Sequence, residues 1–425
     1  MQAKTFLFVL WEGGGNVPPM LGLAKRMISR RHAVIVISDP CNRQEAHAAG
    51  CDFFPYTTAP HRYDKSADST VLKDYEATNT IKGFKLFLDH IACGPALQYA
   101  QDVLNVLRNR KIAVVVVNEA LFGGCFAAEV MKLPCVMVIP GTCSFPAPGM
   151  PPPGMMPQKG LAARLLDVMS SFIFKKLISS GLPSFNSART KLGLAPLSDI
   201  IAYTYGFPRR LLVMTSPDFE FPANFPANVR ITGPILDDPF VGETDENFLA
   251  AADAKNLILV SLSTTFQNQV GILQNIIEAI GQLPYRALVT LGPAVVGLKN
   301  IPPNVMIHSF LPHSQVLPQC VAVVTHAGHG TVIRSLAFGV PLICIPMGRD
   351  QTANAARVVY RGVGVRLNKK AGAKKIAEAI HRVIENPDYQ RKAQELSLKI
   401  RQQSQWHKAC QELEATATIF RNSSV

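Results

Sequence analysis

Long uncharged apolar runs are absent from this sequence. A helix that spans a bilayer needs about 20 consecutive apolar residues, whereas the most apolar segment, residues 112–117, has only the length of one buried strand. The apolar run near the N-terminus, residues 5–11, is short and ends in a glycine-rich turn, which is not typical of a secretory signal. We therefore expect no integral membrane segment.

Paired cysteine motifs are also absent. The nine cysteines occur singly, without the Cys-x-x-Cys or Cys/His spacing that zinc sites and disulfide frameworks require. Several lie in apolar stretches, where a thiol behaves as a small hydrophobic side chain. The sequence thus predicts a cytoplasmic protein without a metal site.

Acidic residues are scarce relative to basic ones. The chain has 43 lysines and arginines against 30 aspartates and glutamates, which gives a formal net charge of +13. This balance favours anionic partners, namely nucleotides, a membrane surface or nucleic acid. The basic residues are scattered, and the sequence has no zinc finger, aromatic RNA-binding motif or basic region with heptads, so nucleic acid is not the expected partner.

Strand and helix patterns alternate in both halves of the chain, as they do in the βαβ units of parallel sheets. With 425 residues, 48% of them hydrophobic, the chain is long enough for two or three domains. We predict an α/β protein with two doubly wound, Rossmann-like parallel-sheet domains that face each other across a cleft. The predicted bounds are residues 1–215 for the N-terminal domain, 216–239 for a linker, 240–393 for the C-terminal domain and 394–425 for a last helix that packs back on the N-terminal domain.

The middle of the chain interrupts this alternation. Residues 145–157 are rich in proline and cannot form a helix or a central strand, whereas residues 161–178 have the pattern of an amphipathic helix. The two segments form either one wall of an apolar pocket or a solvent-exposed linker. Nearby aromatic and methionine side chains predict an acceptor pocket or, alternatively, ordinary core packing: Phe84, Phe87, Phe122, Phe145, Met150, Met155 and Met156.

A glycine-rich turn in the C-terminal half is the most informative motif. A buried strand is predicted to end at Thr325, Gly328 and Gly330 follow, and a helix is predicted to start near Thr331 and to end at Gly339. Glycines let the backbone approach a ligand closely, and the amides at a helix N-terminus attract anions. The turn therefore predicts a diphosphate site.

The residues around this turn resemble the donor-binding signature of the UDP-glycosyltransferase family. The signature comprises His326-x-Gly-x-Gly-Thr331, Gly339-Val-Pro341 and Asp350-Gln351, and it is most similar to that of bacterial macrolide-type and natural-product glycosyltransferases. Upstream segments at 233–235, 260–264 and 310–317 extend the resemblance over nearly the whole chain. The resemblance implies a GT-B fold, with the C-terminal domain binding the sugar donor.

The resemblance also implies roles for individual residues. His326 and the backbone of residues 328–331 are expected to bind the diphosphate, while Asp350 and Gln351 are expected to hydrogen-bond the donor sugar. Side chains near the nucleoside and its phosphates are expected to complete the site. The full expected set is Ser263, Thr264, Phe310, Val316, His326, Gly328, His329, Gly330, Thr331, Arg334, Asp350 and Gln351, where His329 either packs the loop or contacts the ligand.

Arg334 departs from the family pattern, which commonly has a ribose-binding glutamate in the first turn of this helix. A cation there opposes the helix dipole and costs about 0.3–1 kcal/mol unless an anion compensates it. We therefore expect Arg334 to contact either the donor phosphates or an acidic side chain. The missing carboxylate leaves the choice between UDP and dTDP open.

The glycine loop after the first strand carries a second departure. The family usually has a histidine base here, and Asn16 takes its position in this chain. An amide cannot act as a general base. Glu119, near the family's aspartate position, and Glu12 are the alternative bases. A third alternative is an acceptor that needs little activation, such as a phenol or an electron-rich aromatic carbon.

These observations predict an inverting, metal-independent glycosyltransferase without a resident cofactor. It is expected to move a sugar, with glucose as the expected one, from a UDP- or dTDP-sugar to a small apolar or phenolic natural product. An O-glycoside is the expected product and a C-glycoside the variant. The alternative is a non-catalytic donor-binding partner protein that has lost the histidine base; a monomer or weak dimer is expected.

Overall fold

A computed structural model of the chain describes residues 2–77, 79–158, 160–238, 256–263, 267, 269–292 and 297–422. The described residues contain two parallel sheets. The N-terminal sheet has seven strands in the order β3-β2-β1-β4-β5-β6-β7. Its strands are β1 (Thr5–Val9), β2 (Ala33–Ser38), β3 (Asp52–Pro55), β4 (Val114–Asn118), β5 (Cys135–Ile139), β6 (Arg210–Val213) and β7 (Val229–Ile231).

The C-terminal sheet has six strands in the order β10-β9-β8-β11-β12-β13. These strands are β8 (Leu257–Ser261), β9 (Arg286–Thr290), β10 (Val305–His308), β11 (Cys320–Thr325), β12 (Leu342–Cys344) and β13 (Gly364–Arg366). In both sheets the strand order reverses beside the first strand, between β1 and β4 and between β8 and β11. Ligands of such sheets bind at the carboxyl ends of the strands at this reversal.

Helices cover the faces of both sheets. They are α1 (Val17–Ser29), α2 (Arg43–Ala48), α3 (Thr80–Phe87), α4 (Ala96–Asn109), α5 (Phe122–Val130), α6 (Leu161–Ser179), α7 (Leu182–Lys191), α8 (Ile200–Gly206), α9 (Val270–Gly281), α10 (His313–Val316), α11 (His329–Ala337), α12 (Gln351–Arg361), α13 (Ala373–Glu385), α14 (Pro387–Ser404) and α15 (Lys408–Asn422). Within the described ranges, no helix is long and apolar enough to cross a membrane.

The strands are apolar throughout because both of their faces are buried. In β1, Leu7 and Val9 pack under α4 and α5, whereas Phe6 and Phe8 point to the opposite face, in the same cluster as α1 and α15 residues. Alternate side chains of a strand point to opposite faces, so a strand covered on both sides needs a continuous apolar run. The two sheets confirm the predicted pair of doubly wound domains.

The C-terminal segment differs from the prediction. The sequence predicted one long last helix, but the structure has two helices with a turn at residues 405–407. Leu396 and Ile400 of α14 pack into a core cluster of the C-terminal domain, whereas Cys410 and Leu413 of α15 pack into the N-terminal core. The chain bends because its apolar residues serve two different cores. The predicted linker also contains a strand, β7, which forms one edge of the N-terminal sheet.

Candidate active site

A cavity of about 1420 Å³ lies at the carboxyl ends of both sheets and is lined by residues of both domains. It brings together nearly all the side chains that the sequence predicted for the donor, the acceptor and the base. On its walls lie Glu12, Asn16, Phe84, Phe87, Glu119, Phe122, Phe145, Met150, Ser263, Phe310, His326, Gly328, His329, Gly330, Thr331, Arg334, Asp350 and Gln351.

Three of the predicted residues are placed elsewhere, and a fourth lies outside the described residues. Val316 is fully buried in the core of the C-terminal domain and is not part of the cavity wall, because its short helix turns it toward the sheet. Met155 and Met156 are exposed and lie outside the cavity lining, since the proline-rich loop turns them to the surface. Thr264 lies outside the described residues.

The turn between β11 and α11 forms part of the cavity wall on the C-terminal domain. Ala327 adopts a left-handed backbone conformation with φ of 69°, which is rare for a residue with a side chain. Two hydrogen bonds hold it: its amide donates to Thr325 Oγ1 at 3.2 Å, and its carbonyl accepts from Asn354 Nδ2 at 3.0 Å. Gly328 then caps α11, whose first-turn amides have no acceptor within the helix.

His326 packs directly on this turn. A Cβ atom at Gly328 would lie 2.5 Å from His326 Nε2, so only glycine lets the ring take its place. Burial lowers the pKa of His326 to about 4. The imidazole is therefore neutral near pH 7 and acts as a hydrogen-bonding group rather than as a cation.

The side chain of His329 is used in packing between the two domains. Its Nε2 lies 2.9 Å from Thr215 Oγ1, just beyond β6 of the N-terminal sheet. The ring is buried, and burial lowers the pKa of His329 to about 3. Of the two predicted roles, the structure shows a loop-packing contact for the side chain, while the His329 amide belongs to the first turn of α11.

Arg334 lies in the last turn of α11, because the helix begins at His329 and not near Thr331 as predicted. The expected conflict with the helix dipole was therefore wrong, since a cation is favourable at the C-terminal end. The guanidinium donates to the carbonyls of Leu236 at 3.2 Å and Asp237 at 2.6 Å. Its Nε is 3.7 Å from Asp238 Oδ1, so an acidic side chain compensates its charge.

Asp350 and Gln351 are held differently at the start of α12. Asp350 accepts a hydrogen bond from Asn354 Nδ2 at 2.8 Å, and its side chain is exposed to the cavity space. Gln351 accepts from the amides of Met347 at 2.8 Å and Gly348 at 3.1 Å, and its Nε2 donates to Gln267 Oε1 at 2.9 Å. The Gln351 amide thus shapes the loop that presents Asp350.

Asn16 stabilises the glycine loop of the N-terminal domain. Its Oδ1 accepts from the Gly13 amide at 3.1 Å, and its Nδ2 donates to the Trp11 carbonyl at 2.9 Å. Both ends of the side-chain amide are therefore engaged with the loop backbone. The residue at the predicted histidine position therefore makes structural contacts with its own loop.

Glu12 lies in the same loop and is nearly fully buried. Its Oε1 accepts from the Gly14 amide at 2.8 Å, and its Oε2 lies 3.8 Å from Lys65 Nζ. Burial raises the pKa of Glu12 to about 7, although the Lys65 ammonium opposes this shift. The carboxyl is tied to its own loop through one oxygen.

Glu119 follows β4 at the floor of the cavity. Its amide donates to the Val138 carbonyl at 3.0 Å, which fixes the backbone, while Oε2 is buried without a hydrogen-bond partner. Burial raises the pKa of Glu119 to about 8, with a smaller contribution to this rise from the Asp350 carboxylate of the opposite domain. An N-terminal and a C-terminal carboxyl group thus face each other across the cavity.

Sequence reasoning missed the contacts that join the two domains. Arg349 forms a two-pronged ion pair with Asp74 at 2.8 and 2.9 Å, and its Nη1 lies 3.4 Å from the Gly13 carbonyl. Buried Arg357 pairs with Glu220. Pairs so far apart in sequence have no local pattern, and only the position of Arg349 beside the Asp350-Gln351 motif could have drawn attention to it.

Comparison with known proteins agrees with this geometry. Residues 274–415 match the family of erythromycin biosynthesis protein CIII-like C-terminal domains. The chain is 26% identical to 4'-demethylrebeccamycin synthase of Lentzea aerocolonigenes over 389 residues, which cover 89% of this chain and 91% of that protein. It is 25% identical to UDP-glucuronosyltransferase 2C1 of Oryctolagus cuniculus over 323 residues. This match covers 70% of this chain and 62% of that protein.

Solved structures show the same architecture. The glycosyltransferase of kitacinnamycin superposes with a TM-score of 0.76 at 21% identity, covering 98% of this chain and 100% of that one. The calicheamicin glycosyltransferase superposes with a TM-score of 0.74 at 20% identity, and the match covers 98% of each chain. The fold is therefore GT-B, as predicted. The chain is a glycosyltransferase homologous to the macrolide and natural-product glycosyltransferases and to the UDP-glucuronosyltransferases.

Proposed function

We propose that this chain transfers a sugar, with glucose as the expected one, from a UDP- or dTDP-sugar to a small apolar or phenolic acceptor with inversion. An O-glycoside is the proposed product. Two structural relatives support a thymidine nucleotide as one donor: the glycosyltransferase VinC is in complex with dTDP, and a Streptomyces glycosyltransferase is complexed with thymidine diphosphate. The similarity of this chain to 4'-demethylrebeccamycin synthase supports a natural-product acceptor.

One observation carries the proposal. Glu119, whose Oε2 has no hydrogen-bond partner among the described residues, lines the same cavity as the first turn of α11, so the proposed base and the proposed diphosphate site share one space. Transfer with inversion needs this arrangement, because the acceptor oxygen must lose its proton while the diphosphate leaves on the opposite side of the anomeric carbon.

The donor half of the reaction rests on the β11–α11 turn. The diphosphate accepts hydrogen bonds from the first-turn amides of His329, Gly330 and Thr331 and lies at the positive end of the helix dipole. Neutral His326 supplies a further hydrogen bond. These preorganised donors stabilise the negative charge that develops on the leaving diphosphate. Asp350, held by Asn354, accepts from hydroxyls of the donor sugar.

The acceptor half rests on Glu119. Its carboxylate removes the proton from the acceptor hydroxyl as the oxygen forms a bond to the anomeric carbon and the bond to the diphosphate breaks. A raised pKa makes the carboxylate a stronger base than an ordinary glutamate once it is ionised. The apolar acceptor packs against aromatic residues of α3, α5 and α6, namely Phe84, Phe87, Phe122 and Phe174.

We propose that no metal ion or resident cofactor takes part and that the protein acts in the cytoplasm. Within the described ranges, no group of three or more histidine, cysteine, aspartate or glutamate side chains is arranged to hold a metal ion. The nine cysteines are free, with eight of them buried, which supports a reducing compartment.

A turnover assay by mass spectrometry tests the proposal. UDP-glucose and dTDP-glucose are each combined with a panel of phenols and aliphatic alcohols. We expect Glu119→Gln to lower kcat by about 10²–10⁴-fold while donor affinity stays within about twofold. The loss should be larger for alcohols than for phenols, because a phenol, with a pKa of about 10, ionises far more readily.

Glu12→Gln is the matched control, since it removes a second buried carboxyl group on the same cavity wall. We expect its kcat to stay within about tenfold of the wild-type value, below the usual effect of a general base. An equal or larger loss in Glu12→Gln would transfer the role of base to Glu12. Donor binding without turnover or hydrolysis for any acceptor would instead support the non-catalytic partner protein.

A further inference from the structure

Helix α6 has an exposed apolar face. Val168 and Phe172 are each 67% exposed, Ile173 is 54% exposed and Met169 is 52% exposed. Side chains three to four residues apart lie on the same side of a helix, so these four form one stripe. Large apolar side chains that are exposed together, rather than singly, mark a surface that contacts something other than water.

The opposite face of α6 lines the cavity. Ser171, Phe174, Leu177 and Ile178 of this helix form part of the cavity wall, on the side where the acceptor is expected. The same helix therefore separates the interior of the cavity from the exposed stripe.

Helix α3 lies beside α6 and also lines the cavity. The rings of Phe84 and Phe174 are 5.5 Å apart, which joins the two helices, and Phe84 and Phe87 line the cavity. Ile81 of α3 also lines the cavity and is 59% exposed. Helices α3 and α6 thus form one rim of the cavity, with apolar side chains that line the cavity on both helices and an exposed apolar stripe on α6.

Lysines surround the apolar side chains of this rim. Lys82 and Lys85 of α3 and Lys175 and Lys176 of α6 are exposed. Among the described side chains of α3, α6 and the residues that flank them, the exposed acidic ones are Glu76, before α3, and Asp89, after it. The rim therefore combines apolar side chains with an excess of positive charge, in a chain whose net charge is +13. This combination is typical of helices that lie in the interface of an anionic bilayer.

The size of the patch distinguishes a lipid surface from a protein partner. The stripe on α6 extends over six residues, or about 8 Å at 1.5 Å per residue. A stable protein interface buries about 800 Å² on each partner, which a patch of five apolar side chains does not supply. Shallow insertion of a few apolar side chains, assisted by lysines, is sufficient for reversible binding to an anionic membrane.

We propose that the docking rim, formed by Ile81, Val168, Met169, Phe172 and Ile173 with its four lysines, binds the surface of an anionic lipid bilayer. Docking in this orientation places the acceptor side of the cavity against the lipid, from which an apolar acceptor enters between α3 and α6. The second statement rests on the proposed function, whereas the docking itself does not.

Vesicle flotation with the full chain tests the docking. Vesicles of phosphatidylcholine alone are compared with vesicles that also contain phosphatidylglycerol. We expect binding to the anionic vesicles only, and a roughly tenfold lower bound fraction for the double variant Phe172→Ser with Ile173→Ser. The matched control is Leu398→Ser, which removes an equally exposed apolar side chain, 66% accessible, from α14 of the C-terminal domain.

A charge-reversal pair tests the electrostatic part. Lys175→Glu with Lys176→Glu should reduce anionic vesicle binding about tenfold, whereas Lys374→Glu with Lys375→Glu, an adjacent exposed pair on α13, should leave it unchanged. Thermal unfolding verifies that each variant is folded. Equal binding by all variants, or no binding by the wild-type chain, would overturn the proposal. A dimer in sedimentation that the Phe172/Ile173 variant loses would assign the rim to a second copy.

The readout separates this inference from the proposed function. Vesicle binding needs no turnover, so a chain without transferase activity can still confirm the docking. Conversely, turnover of a water-dissolved phenol by a chain that does not bind vesicles would leave the transferase intact and refute the docking.

Discussion

The turn after β1 and the turn after β11 are built alike, because each joins a buried strand to a helix through glycines. Their polar groups are used differently. In the N-terminal turn, Asn16 hydrogen-bonds two loop residues and Glu12 accepts from the Gly14 amide. In the C-terminal turn, Gly328 and its neighbours have no side chain that satisfies the first-turn amides of α11.

This difference separates two ways of building a site. The proposed diphosphate site combines backbone amides at the start of α11, which can bind an anion, with the side chain of His326. The proposed acceptor chemistry depends on one side chain, Glu119, which directly follows β4. Asn16 and one oxygen of Glu12 are engaged by the N-terminal turn itself, so the proposed function assigns proton removal to Glu119, directly after β4. Substitutions in the two turns should therefore have effects of different kinds and sizes.

The largest effect that we expect in either turn comes from His326→Ala. A hydrogen bond to a charged group contributes about 1.5–3 kcal/mol, so donor affinity should fall by roughly 10–100-fold. Calorimetric titration with UDP and dTDP measures it. His381→Ala, an exposed histidine on α13 of the same domain, should leave affinity unchanged. A loss of less than threefold for His326→Ala would show that the backbone amides alone hold the diphosphate.

A smaller effect is expected for Gly328→Ala, which tests the backbone of the same turn. The new Cβ would lie 2.5 Å from His326 Nε2 and would displace the ring. Overpacking of this kind costs about 1–3 kcal/mol, so we expect donor affinity to fall by about tenfold. The control is Gly348→Ala, whose Cβ would contact no atom within 4 Å. Equal affinities in the two variants would contradict the packing of His326 on this glycine.

The two turns also differ in how far the sequence could predict them. The end of β11, the glycines and the following helix form a contiguous pattern, so this turn and the residues around His326 could be located from local sequence. The helix start was missed by two residues, which displaced Arg334 from the last turn to the first in the prediction. Helix ends depend on cap geometry, which residue types determine only in part.

The remaining features depend on contacts between distant residues. The ion pair between Arg349 and Asp74 joins residues that are 275 positions apart, and the break between α14 and α15 depends on which core each apolar face meets. The hydrogen bonds of Asn16 to Gly13 and Trp11 are local, but they could not be predicted, because an asparagine in a glycine loop has many alternative partners. These contacts depend on how the folded chain packs, and residue type alone does not determine them.

The pH dependence of turnover sharpens the assignment of the base on the acceptor side. In the proposed function Glu119 acts as a carboxylate, and burial raises its pKa to about 8, so activity should be lost as the pH falls below that value. The ionised fraction is about one tenth at pH 7 and about one half at pH 8, which predicts a rise of roughly fivefold in kcat/KM over that interval. The residual activity of Glu119→Gln should not show this rise. An inflection near pH 7 would point to Glu12, whose pKa is about 7.

The smallest effect on function is expected at Asn16, because this side chain serves the loop and not the ligand. Asn16→Ala removes two hydrogen bonds, which should lower the free energy of unfolding by about 1–3 kcal/mol. For a domain of this size, each kcal/mol shifts Tm by about 2–4 °C, so thermal unfolding should show a decrease of roughly 2–10 °C. Donor affinity should change by less than about twofold, since no donor contact is lost.

Asn16→Asp provides the matched comparison at the same position. It keeps an acceptor for the Gly13 amide but places a carboxylate oxygen against the Trp11 carbonyl, where the amide previously donated. We expect Tm to fall in this variant as well, because one favourable contact becomes repulsive. A variant that keeps the wild-type Tm yet loses turnover would show that Asn16 contacts the acceptor. The N-terminal turn would then resemble its C-terminal counterpart in facing a ligand.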